Sequence, residues 1–170
     1  MRVAPKLITL ASALALAGCG GGSGGETSST PPFPTADQST RRGCAFLSEA
    51  DVARASGASV RREDLAPVPE IVCSSAYVGA AGIVATVSEL RGGLGALRRL
   101  RTAKSEELGS RTVDRLPALG RGAFVARKRY LAFRRGERVI VLETGYGRQG
   151  ELLLTVPELT RLARLVSERL

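Results

Sequence analysis

Between Gly20 and Arg42 the chain has little with which to build a core. It is Gly/Ser-rich and then Ser/Thr/Pro-rich, through "ETSSTPPFPTADQST". Such composition buries too little apolar surface to order itself. Whatever packs must begin near Gly43, and residues 43–170 fit the usual domain size of roughly 100–150 residues. Aromatic residues make up only 4% of the chain and Trp is absent, so the core must be built mainly from Leu, Val and Ala.

Local signals divide 43–170 into short elements. Ser48 is followed three residues later by Asp51, a capping box with Asp in place of the usual Glu or Gln. Leu47 can staple against Val52, and Gly57 can end the turn in a left-handed conformation, so a helix is expected over 49–56. A strand is expected over 58–64, and the two prolines of "APVPE" make a loop of 66–70. Strands follow at 71–78 and 82–90, the second rich in β-branched residues. In "GGLGALRRLRTAKSEELG", Leu94, Leu97, Leu100 and Ala103 recur every three residues and Leu108 completes the face. That predicts a helix ending at Gly109. Three further strands are expected at 123–127, 130–134 and 138–144, the last two joined by the turn "RRGE". Thr155 and Glu158 form a second capping box, with Leu159, Leu162, Ala163, Val166 and Leu170 on one face of a final helix. The order α-β-β-β-α-β-β-β-α points to an α+β fold, an antiparallel sheet with helices packed on one face.

The first residues carry a different signal. Arg2 and Lys6 precede the apolar run Leu7–Leu16, and Ala17 and Gly18 are small. This is the pattern of a secretory signal peptide over residues 1–18. Leu16-Ala17-Gly18-Cys19 is similar to the lipobox of bacterial lipoproteins, aliphatic–small–small–Cys. The resemblance implies cleavage before Cys19 and a diacylglycerol on its thiol. Two acyl chains hold a protein to a membrane stably where one does not. Residues 19–42 then read as a lipidated Cys and a tether with an r.m.s. span of roughly 25–30 Å.

The chain has three cysteines. If acylation consumes Cys19, Cys44 and Cys73 remain as a pair, and a disulfide between them can form and persist outside the cytoplasm.

Chemistry-bearing motifs are scarce. There is no His, which removes Ser-His-Asp and Cys-His catalysis, and no G-x-S-x-G or S-x-x-K occurs. No catalytic or metal-ligating set and no cofactor are expected. "GYGRQG", Gly145–Gly150, spells G-x-G-x-x-G, but Pro157 restarts the local structure soon after, so it reads as a glycine-rich loop. The net charge is +9, carried by 22 Arg and 3 Lys. An excess this large favours anionic partners. Its densest run is on the central helix, where Arg98, Arg99, Arg101 and Lys104 are candidates for contact with an anion or a membrane surface. Nucleic acid is disfavoured by compartment and by the lack of interleaved aromatics.

Taken in order, Cys44-Ala45-Phe46-Leu47-Ser48-Glu49-Ala50-Asp51-Val52, then Cys73, then Leu119-Gly120-Arg121-Gly122-Ala123, and a C-terminal Leu/Ala/Arg helix, this sequence resembles a family of small actinobacterial lipoproteins with a paired-cysteine domain of unknown function. An aromatic usually follows the second Cys in that family; here Tyr77 stands where a Trp is common. The resemblance implies a fold and an extracytoplasmic location but brings no activity with it.

The expectation is a lipid-anchored module on the outer face of the cell membrane that binds an envelope protein or component without catalysis. The alternatives are a carrier for a lipid or other apolar ligand, which needs an internal apolar cavity, and an envelope hydrolase, which needs converging carboxylates.

Overall fold

The computed structural model describes residues 43–66 and 68–170. The leader, Cys19 and the tether lie outside the described residues.

Helix α1 (Glu49–Ser56) forms where its punctuation predicts. The Ser48 side chain accepts from the Asp51 backbone N–H, the Asp51 carboxylate accepts from the Ser48 N–H, and Gly57 closes the helix at φ 69°. Strands β1 (Arg61–Asp64), β2 (Ile71–Gly79) and β3 (Gly82–Arg91) follow, then helix α2 (Gly93–Leu108). Next come β4 (Val113–Arg115), β5 (Phe124–Ala126), β6 (Tyr130–Arg135) and β7 (Arg138–Thr144), and helix α3 (Val156–Arg169) closes the chain. The second capping box is present, with Glu158 accepting from the Thr155 N–H at 2.6 Å. "GYGRQG" is a loop, and α3 starts only at Val156.

Among the described residues seven strands make one antiparallel sheet in the order β1-β2-β3-β7-β6-β5-β4. The α+β class and the sequence of helices and strands are as expected. β4 is an addition, a three-residue edge strand too short to show any alternation.

The placement of the helices needs a correction. They do not share one face of the sheet. Ile140 and Leu142 of β7, with Leu131 and Phe133 of β6, pack against Val52 of α1 and Leu159, Leu162 and Val166 of α3. The intervening Val139, Val141 and Ala132 point the other way and pack with Leu97 of α2. The reason lies in β7. "VIVL" is a continuous apolar run, and a strand apolar on both sides requires cover on both sides. Two smaller expectations also shift. Ala103 is exposed, so the buried face of α2 is narrower than the Leu spacing implied, and Leu170 lies at the exposed end of α3.

Cys44 and Cys73 are bonded, with an S–S distance of 2.08 Å. The bridge ties the start of the fold to β2. Around it, the Cys44 N–H donates to Ser75 Oγ at 2.9 Å, and the Tyr77 hydroxyl donates to the Leu47 carbonyl at 2.7 Å. Burial pushes the Tyr77 hydroxyl up to about 12, so it remains a donor throughout the neutral range.

Candidate functional site

The four basic residues singled out on α2 do not form one patch. The helix divides them. Leu97 points into the core, fully buried, and fixes the rotation of the helix about its axis. Leu94, Arg98 and Arg101 then fall on one flank, at the i, i+4 and i+7 spacing of a single helical face. Arg99 falls on the opposite flank, where with Ile71, Leu90 and Leu100 it lines a separate groove of about 690 Å³. Lys104 is engaged by its own helix. Its Nζ lies 2.6 Å from Glu107 Oε2 and 5.0 Å from the centre of the Tyr130 ring.

Arg98 and Arg101 are joined by two arginines that the sequence reading left aside. Arg115 ends β4, and Arg121 sits in the connection to β5. That connection is tightly made. Pro117–Leu119 is a 3-10 turn, the Leu116 N–H donates to the Ala123 carbonyl at 2.9 Å, and the Gly120 N–H donates to the Pro117 carbonyl at 3.0 Å. Gly122 brings it against α2. Its φ is 87°, and a Cβ there would lie 3.2 Å from both Leu94 Cδ1 and Leu97 Cδ2. Only glycine gives both this backbone conformation and this approach without strain. The result is a cleft of about 500 Å³ in which, among the described residues, four arginines (98, 101, 115 and 121) surround an apolar wall that includes Leu94 and Pro117.

The arginines are unevenly provided with partners. Among the described residues, five of them are paired with acids. Arg129 meets Glu143 at 2.6 Å, Arg138 meets Glu89 at 2.8 Å, and Arg169 meets Asp51 at 2.6 Å. Arg61 and Arg62 pair with Glu63 and Asp64. None of the cleft's four arginines is in an ion pair among the described residues. Like charges gathered this way repel unless an anion joins them. Guanidinium forks match the planar oxygens of carboxylate and phosphate, so an oxyanion is the chemistry that fits.

The buried acids have a different role. Glu89 is closed in by Arg138 and the disulfide, with its Oε2 3.8 Å from Cys73 Sγ. Asp51 accepts from Ser48 and Arg169, and Arg169 above all holds its carboxyl well below the usual carboxylate range. Each carboxylate is held by a cation and belongs to the scaffold.

The signal that could have found Arg115 and Arg121 was faint. It was the glycine pair around Arg121 in "LGRG", which marks a loop forced close to another element. No protein-family model, curated protein or solved structure matches the chain.

Proposed function

We propose that this chain is a lipid-anchored, non-enzymatic binding or accessory module of the bacterial cell envelope, which grips an anionic group of its partner in the cleft between α2 and the β4–β5 connection. The observation that carries this reading is the set of four unpaired arginines in one cleft. The lipobox-like Leu16-Ala17-Gly18-Cys19, the tether and the similarity to paired-cysteine lipoproteins support the extracytoplasmic location.

The carrier reading gains less support. The space between the sheet and α3 is filled by Leu131, Phe133, Ile140, Leu142, Leu159 and Leu162, all at 0% exposure. The space under α2 is filled by Leu97, Phe124, Ala132 and Val139. A hydrolase would need free carboxylates converging on a cleft, whereas Glu89 and Asp51 are each locked to an arginine.

Native mass spectrometry of the mature protein, gently extracted from its own membrane, tests the proposal. The expected result is an envelope component of acidic character that is lost from the Arg98→Glu/Arg101→Glu variant. A discrete apolar mass retained equally by that variant would overturn it in favour of a carrier.

A further inference from the structure

The four-arginine cleft does not end at Arg121. Gly120 and Arg121 also line a second cleft, of about 460 Å³, on the far side of the same connection. There Arg121 is joined by Arg134 and Arg135 from the end of β6 and by Arg164 from α3. None of the four is in an ion pair among the described residues. Glu168 is the acid in the lining. Arg134 Nη1 donates to the Gly136 carbonyl and Arg135 Nε to the Ser167 carbonyl, which hold the two side chains in place. Arg134 Nε is buried and has no acceptor among the described residues.

Two adjacent basic clefts sharing one arginine describe a track. A small anion would occupy one cleft and leave the other's charges facing one another. A chain with anionic groups repeated along it would satisfy both, turning round Arg121. The recesses also differ from what a flat anionic surface would meet, because their guanidiniums line concave walls. We infer that the ligand is a linear polyanion, bearing repeated phosphate or carboxylate groups, that runs from the α2 cleft past Arg121 to Arg164. This rests on the binding-module reading and narrows its ligand class.

The test uses the full chain purified in detergent, titrated with orthophosphate, tripolyphosphate, long-chain polyphosphate and polygalacturonate, and with phosphatidylglycerol vesicles. Arg98, Arg121 and Arg164 are exposed, so their Glu variants should melt with the wild type. Affinity is expected to rise with chain length by roughly 100-fold, as linked sites bind one chain. Arg121→Glu should remove most of that gain. Arg164→Glu should weaken long-chain binding by roughly tenfold and leave orthophosphate binding unchanged. Tighter binding of polyphosphate or of polygalacturonate supports the track either way and names its anionic group. Affinity independent of length, or long-chain binding untouched by Arg164→Glu, overturns the track while leaving a single-anion module intact. Failure to bind any anion overturns both readings. Arginine-dependent binding to vesicles without binding to soluble polyanions replaces the track with a membrane contact.

Discussion

Asp51 shows how much one side chain can be asked to do. Its carboxylate caps α1, takes the Ser48 hydroxyl at 2.8 Å and accepts from Arg169, 118 residues along the chain. Its ionised form is therefore favoured by the fold, and its folded pKa is depressed. A depressed carboxylate contributes stability that is complete above its unfolded value, about 3.9, and is lost as pH falls through the folded one. Wild-type protein should lose stability below about pH 4, and Asp51→Asn should flatten that acid limb. At neutral pH the variant should be destabilised by about 1.5–3 kcal/mol, the range of hydrogen bonds to charged groups. Urea melts at several pH values check both; an acid limb of unchanged slope would assign it to other carboxylates. At the opposite end of the sheet, Arg127 and Lys128 occupy consecutive left-handed positions, φ 47° and 58°, in the turn between β5 and β6. Such a turn favours Asn-Gly. Arg127→Asn with Lys128→Gly should raise stability by about 1 kcal/mol, read as a higher melting temperature.

Among the elements, the segment from Cys44 to Cys73 is closed into a loop by the disulfide. Its sequence separation is 29. Reduction, or Cys44→Ser with Cys73→Ser, should cost about 3–4 kcal/mol by loop entropy. Comparing denaturation with and without reductant measures it. The connection from β4 to β5 is the other sensitive element. Gly122→Val should force it away from Leu94 and Leu97 and widen the arginine cleft, so anion affinity should fall more than stability does. Equal losses would mean that the glycine serves packing alone. These elements also show what could be read in advance. Both capping boxes were legible because their partners lie three residues apart. The strands of the two long hairpins were legible because β-branched apolar runs and turn residues are local signals. The side of the sheet that α2 would take was not, since its apolar face is the same whichever layer it covers. The cleft was half legible. Arg98 and Arg101 declare themselves by helical spacing, whereas Arg115 and Arg121 reach them only through the path of the sheet's far edge.

At the scale of the molecule, charge and attachment are the features that matter. A net charge of +9 would be diffuse if arginines were paired throughout. Instead the pairs gather along α1, β1 and the centre of the sheet, and seven arginines without an ion pair among the described residues line the two clefts that share Arg121. Binding through this region should weaken as salt rises, in contrast to an apolar contact. If the proposed anchor is correct, Cys19→Ser should move the protein from the membrane fraction to the soluble one. Retention of that variant in washed membranes would reject the assignment.

The bridge that joins Cys44 to Cys73 also has a mechanical meaning. Tension arriving along the chain from the N-terminal side reaches Cys44 one residue into the described fold. It can then cross the sulfur–sulfur bond directly into β2, a strand hydrogen-bonded on both edges. Residues 45–72, which include α1 and β1, lie off that load path. A tug on such a domain pulls first on a strand paired on both sides and spares the peripheral helix, so the molecule behaves as a fastened cleat.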